Sequence, residues 1–187
     1  SGRWCNPVPP APPSFRLNHL STNHSSSPLF SSDFRTLLLD CIDRDIRAEA
    51  ERFLEGAEAN QYGEFLIALC QEFADETKQL HSRQLAGLHI KNMISSRESA
   101  VTETKVARWA ACEPTVQDQA RQAFLTALAS PHPNVSHTSA QVLAAYGAVD
   151  IPASRFPQLI PTLVEGIANV NTPEQMRKSA LECIGYM

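Results

Sequence analysis

The chain lacks most of the signatures that would mark a reactive site. Its five cysteines (Cys5, Cys41, Cys70, Cys112 and Cys183) form no CxxC pair, which excludes a zinc ribbon or a dithiol redox motif. Four of them fall within helical apolar patterns and are expected to be buried free thiols in a reducing compartment. The seven glycines are scattered singly, so there is no phosphate-cradling loop, and G-x-x-x-x-G-K, G-x-G-x-x-G, G-x-S-x-G and H-E-x-x-H are all missing. No apolar run approaches the roughly 20 residues of a membrane-spanning helix. Positive charge is not in excess either. A net charge of -4 and a pI near 5.8 argue against direct nucleic-acid binding and suit a basic protein surface better. The Asn-x-Ser sequons at Asn23 and Asn134 are read as chance matches.

What is present divides into two unlike parts. Residues 1–32 are proline- and serine-dense ("NPVPPAPPSF", "STNHSSSPLFSS") and contain no acidic residue before Asp33. Such a segment cannot bury enough apolar surface to offset its ordering entropy, so a disordered tail is expected there. Arg3 and Arg16 alone are too few for a transit peptide, and PxxP matches follow from the composition itself. The start at Ser1, and an end at Met187 inside an unfinished helix, lead us to expect a piece of a longer chain.

From Asp33 onward the apolar residues recur at helical spacing. The stripes are Phe34, Leu37, Leu38, Cys41, Ile42; Ile46, Ala50, Phe53, Leu54, Ala57; and Leu66, Leu69, Cys70, Phe73. Further stripes are Val116, Ala120, Phe124, Leu128; Ala140, Leu143, Ala144, Gly147, Ala148; Phe156, Leu159, Ile160, Leu163, Val164, Ile167; and Met176, Ala180, Cys183, Ile184, Met187. No period-2 alternation is sustained, so strands are not expected. The breakers agree: Asn60 with Gly63, "ASPHPNVS", and "DIPASRFPQLIP", whose prolines fall before and within a first turn, where a missing amide is harmless. "NVNTPEQ" predicts Thr172 as an N-cap and Pro173 as the first helical residue.

The helices pair, at about 33–58, 62–96, 115–150 and 156–187, a spacing of roughly 40 residues that fits HEAT-type units. An extra short helix, "TETKVARWAAC" with Trp109, follows the second pair. The expected fold is therefore all-α, a HEAT-repeat α-solenoid of about four pairs, with a compact helical bundle as the alternative. Each pair leaves an apolar stripe that only a stacked neighbour covers.

Polar clusters offer little chemistry. His132 and His137 span a Pro/Asn loop in poor geometry for a shared metal, and His81 and His89 have no carboxylate or cysteine between them. Glu49, Glu51 and Glu55, mixed with arginines, read as a solvated helix face rather than an acid–base pair. No catalytic residue, cofactor or metal is expected. What remains is the curved face that the second helix of each pair presents to a protein partner. Wheel positions put Glu51, Arg52 and Glu55 on that face of the first inner helix, and Lys178 and Glu182 on the last. In "QLAGLHIKNMI", Ala86, Ile90, Met93 and Ile94 turn inward and Lys91 points away from them. Gly87 is expected to allow close helix approach, and Asn92 to bridge to an adjacent repeat.

"DRDIRAEAERFLEGA", "RQLAGLHIKNMISS", "ARWAAC" and "ASRFPQLIPTLVEGIANVNTPEQMRKSALECIGYM" together resemble the amino-terminal HEAT repeats of the importin-beta (karyopherin-beta) family. The likeness runs from about Phe34 to Met187 and includes the Ile90-Lys91-Asn92 triplet of that family's amino-terminal domain, here within about 46–128. The tail matches nothing in it. The resemblance implies a non-enzymatic receptor that shuttles between cytoplasm and nucleus. It would carry NLS cargo, often through importin alpha, past FG nucleoporins of the nuclear pore, and its inner helices would bind Ran-GTP. On that reading Glu51, Arg52, Glu55, Lys91, Asn92, Lys178 and Glu182 are the candidate Ran contacts. Another karyopherin, or a HEAT scaffold with other partners, is the alternative.

Overall fold

A computed structural model of the chain describes residues 47–187, with side chains from Ala50. The expected tail (1–32) and the stripe from Phe34 to Ile42 lie outside the described residues. Eight helices fill the described part, and no strand occurs among those residues: α1 Arg47–Asn60, α2 Tyr62–Ala74, α3 Leu80–Asn92, α4 Ser99–Ala110, α5 Pro114–Leu128, α6 Pro133–Asp150, α7 Leu159–Ala168 and α8 Glu174–Tyr186.

Prolines set several of the starts. Pro114 and Pro133 open α5 and α6 in the first turn, where a backbone N–H has no helical partner to lose. Pro161 sits three residues into α7 for the same reason. The expected start of α8 moves by one residue. Pro173 is extended (φ -52°, ψ 141°) and its carbonyl accepts the Arg177 N–H, so Pro173 takes the cap position that was assigned to Thr172. Thr172 instead closes a turn, its N–H donating to the Asn169 carbonyl.

Three antiparallel pairs, α2/α3, α5/α6 and α7/α8, stack in chain order, with α1 packed on α2. The outer helices α2 and α5 lie side by side, while α3, α6 and α8 form a continuous inner row. Every strongly packed helix pair is a neighbour in this stack, which distinguishes a solenoid from a closed bundle. The stripes become the core. Leu66, Leu69, Cys70, Phe73, Ala86, Ile90, Phe124, Leu128, Leu143, Leu163 and Cys183 are all buried. Phe53 departs from its stripe and is 37% exposed, and Ile160, Val164 and Ile184 are exposed on the side where the stack ends.

Two close approaches fix the spacing of the pairs. A Cβ on Gly87 would lie 2.6 Å from the Phe73 ring and 2.8 Å from the Thr138 methyl. One on Gly147 would lie 2.9 Å from Leu159. Aromatic rings fill the middle: Trp109 meets Tyr146 edge-on at 4.8 Å, and Phe124 lies 5.0 Å from the same ring.

Buried charge locks the seams. Asp150, fully buried at the end of α6, accepts hydrogen bonds from Trp109 Nε1 (2.9 Å), from Arg121 Nε and a terminal nitrogen (3.1 and 2.8 Å), and from Arg155 Nε (2.9 Å). The Arg121 guanidinium also sits 5.4 Å from both the Trp109 and Phe156 rings. Arg83, likewise fully buried, donates to the Phe73 carbonyl (3.0 Å) and clasps Glu76 with two bonds of 2.7 and 2.8 Å. That clasp holds the Glu76 carboxyl below the ordinary glutamate range.

Candidate partner-binding surface

The inner row presents α3, α6 and α8 along one side, and α1, packed on α2, is tied to α3 and α4 through Glu58. On α1, Glu51, Arg52 and Glu55 are exposed, while Ala50 and Leu54 on the opposite side are buried. This is the amphipathic division their spacing predicts. On α8, Lys178 is exposed and Glu182 half-buried.

Two expectations for α3 need correction. Lys91 does not stand free of the fold: its ammonium donates to Gln141 Oε1 of α6 at 2.9 Å. Asn92 does not bridge repeats through its side chain, which is exposed, although its backbone carbonyl accepts from the Lys105 ammonium. The reason is helical register. Position 91 faces α6, the next inner helix, whereas position 92 has turned a further ~100° toward α4. The inward residues behave as expected, with Ala86, Ile90, Met93 and Ile94 all buried.

The structure joins residues that the spacing left separate. Gln141 Nε2 lies 2.9 Å from His137 Nε2, and His137 Nδ1 lies 3.0 Å from Glu182 Oε2. Lys91, Gln141, His137 and Glu182 thus form one polar ladder across α3, α6 and α8. A second tie is centred on Glu58 of α1, with Arg108 at 3.2 Å and His89 Nε2 at 3.6 Å. Burial pushes the Glu58 carboxyl up, but its contact with His89 and the charges of His89, Lys105 and Arg108 outweigh this. The group ends below its ordinary value. Glu51, Arg52 and Glu55 belong to neither arrangement. Sequence spacing did not expose the ladder because it places residues about one helix; Gln141 and His137 are ordinary polar positions until α6 is docked.

Burial pushes the Cys183 thiol up to about 12 and raises Cys70 and Cys112, which keeps them protonated and poorly nucleophilic. Among the described residues, no group of three His, Cys, Asp or Glu side chains is placed to hold a metal ion. No helix among them is long and apolar enough to cross a membrane.

A stack of helix pairs, outer helices on one side and a continuous inner row on the other, defines an α-solenoid of HEAT repeats. Residues 50–130 match the importin-beta N-terminal domain, and the likeness to importin-beta proteins extends over most of the chain. It is 32% identical over 146 residues to importin subunit beta-1 of Arabidopsis thaliana, covering 78% of this chain and 17% of that protein. Against importin subunit beta-1 of Saccharomyces cerevisiae it is 29% identical over 161 residues, covering 84% and 19%. Among solved structures it is similar to Kap95 in a Kap95:Nup1 complex (TM-score 0.78, 30% identity, 83% of this chain and 18% of that one). It is also similar to Kap95p in a structure where its binding induces the switch loops of RanGDP to adopt the GTP-bound conformation (TM-score 0.79, 30% identity, 83% and 18%). The chain therefore spans less than a fifth of the length of these relatives.

Proposed function

We propose that the chain is the amino-terminal part of a nuclear import receptor, and that its inner row contributes to a surface for Ran in its GTP form. On this reading α1 is the inner helix of the first of four repeats. The receptor shuttles between cytoplasm and nucleus, carrying NLS cargo, directly or on importin alpha, past FG nucleoporins of the pore. It works by binding rather than by catalysis. The observation that carries the reading is the family match across residues 50–130 together with the exposed charged side of α1.

Glu51, Arg52 and Glu55 are the contacts we favour, with Lys178 and Asn92 as further exposed positions on the same row. Lys91 and Glu182 contribute by holding the inner helices in register rather than by reaching out alone. Release of cargo by Ran requires the two ligands to favour different states of one solenoid, a coupling that typically amounts to ~1–3 kcal/mol.

Immobilised chain incubated with Ran loaded with GTP or with GDP tests the proposal. Retention of the GTP form well above the GDP form is expected, and retention indifferent to the nucleotide would refute it. The double reversal Glu51→Lys with Glu55→Lys should weaken binding by about tenfold, ~1.4 kcal/mol, with helicity unchanged by circular dichroism. Unchanged affinity would move the contact surface off α1.

A further inference from the structure

The ladder across α3, α6 and α8 has a fixed direction. Lys91 can only donate, so the amide of Gln141 must turn its oxygen toward Lys91 at 2.9 Å and its NH2 toward His137 Nε2, also at 2.9 Å. That ring nitrogen must then be the acceptor. The imidazole proton accordingly sits on Nδ1 and donates to Glu182 Oε2 at 3.0 Å. All three bonds are satisfied by neutral His137 in one tautomer only.

A second proton on the ring places an N–H at Nε2, opposite the Gln141 NH2, so that two donors face each other. If the amide rotates to accept from His137, its NH2 meets the Lys91 ammonium and the same conflict moves one step along. As placed, either the α3 link or the Gln141–His137 bond must break. The opposite link strengthens, because a charged imidazole faces the Glu182 carboxylate. Histidine is the side chain whose charge changes near neutral pH.

We propose that this ladder is a proton-controlled link between repeats: protonation of His137 turns the Gln141 oxygen to the ring and so breaks the Lys91–Gln141 tie between α3 and α6, while strengthening the His137–Glu182 tie between α6 and α8. Loosening one tie and tightening the next changes how freely successive pairs move, along the face that a partner would use. The inference rests on the ladder itself and not on the partner proposed above.

The groups facing His137 are accounted for by element. From α8 come Glu182, the Tyr186 ring edge-on at 6.0 Å, and Lys178 one turn before Glu182. From α3 comes Lys91, through Gln141. The charged groups of α5 nearest α6 are Arg121, bound to Asp118 and to Asp150 about 20 Å further along α6, and Asp118 itself. Just ahead of α6, His132 lies 3.9 Å from Glu76.

Two measurements test the link. In the unaltered chain, long-range 1H–15N correlation spectra at about pH 7.5 should show His137 as the Nδ1–H tautomer, and finding it as Nε2–H would overturn the proposal. A double-mutant cycle of Lys91→Met and Gln141→Leu, read as unfolding equilibrium constants, should give a coupling of about fivefold at about pH 7.5. That coupling should fall to less than about twofold at about pH 5.5, and in a His137→Gln background it should no longer respond to pH. A coupling that is the same at both pH values, that is below about twofold at the higher one, or that still responds to pH without His137, would each overturn it.

Discussion

At the scale of single residues, the buried charges decide most. Asp150 gathers four bonds from three side chains that belong to different parts of the chain: Trp109 at the end of α4, Arg121 on α5 and Arg155 beyond α6. Removing its carboxylate leaves the Arg121 guanidinium buried beside two rings, with only the exposed Asp118 carboxylate as counter-charge. Breaking a buried pair in this way costs about 3–5 kcal/mol, so Asp150→Ala should lower unfolding stability by that order in urea titration. Asp150→Asn, which keeps one acceptor oxygen, should lose less. Equal losses would mean that the charge itself, and not the retained acceptor, carries the contribution. Glu58 gives a pH-dependent counterpart. Its folded carboxyl lies below the ordinary value of 4.5, so its contribution is fully present above that value and is lost as the pH falls through the folded value. The stability difference between the native chain and Glu58→Gln should therefore be largest near neutrality and close below about pH 4.5. A difference that stays constant into acid would show that the contacts of Glu58 act without its charge. None of these residues was legible in the sequence. Periodicity marks apolar positions and carries no signal for a buried charge, so spacing does not single out Arg83, Arg121 or Asp150. Their burial depends on partners as far as 47 residues away in the chain.

Secondary structure was far more legible at the scale of elements, and the reason is physical. A stripe at positions i, i+3 and i+4 carries its own burial instruction, so Leu66, Leu69, Cys70 and Phe73 identify the buried side of α2 without reference to any neighbour. Gly87, expected to allow close helix approach, sits in mid-helix in α3, where a glycine costs ~1 kcal/mol relative to alanine. Its place in the stack explains the choice, since α2 and α6 approach α3 from two sides at Gly87. Gly87→Ala gains that propensity but drives a methyl into Phe73 and Thr138, both buried. Overpacking of this kind typically costs ~1–3 kcal/mol, so a net loss of about 1 kcal/mol is expected by thermal or urea unfolding. Pairing the change with Phe73→Leu, which withdraws the ring, should recover part of the loss. A stabilised single variant would show that the α2–α3 and α3–α6 seams are looser than these distances describe.

For the whole molecule, stability is a sum over repeats and the seams between them rather than a property of one closed core. The pairs α2/α3 and α5/α6 are covered by neighbours on both sides, by α1 at one end and α8 at the other. The pair α7/α8 is covered on one side, by α6 and a small contact with α5. Its open side shows Ile160, Val164, Leu181, Ile184 and Tyr186, with Val164 at 51% and Leu181 at 57% exposure. Helices that lack a covering neighbour lose the burial that offsets their ordering entropy, so they open with less free energy than the rest. Native-state hydrogen exchange should therefore be slowest in α3, α5 and α6 and distinctly faster in α7 and α8, with the change falling at the α6–α8 seam. Destabilising Asp150 should accelerate exchange in α5 and α6, because Asp150 ties those helices to Trp109, while a change confined to α8, such as Cys183→Ser, should leave α2 and α3 unaffected. Uniform acceleration along the chain in both variants would mean that the stack unfolds as a single cooperative block. A receptor built from such a block could not transmit a local change at one repeat as a graded change in curvature. A stack with separable seams can, and in this chain the seams at α3–α6 and α6–α8 are the ones bridged by the polar ladder.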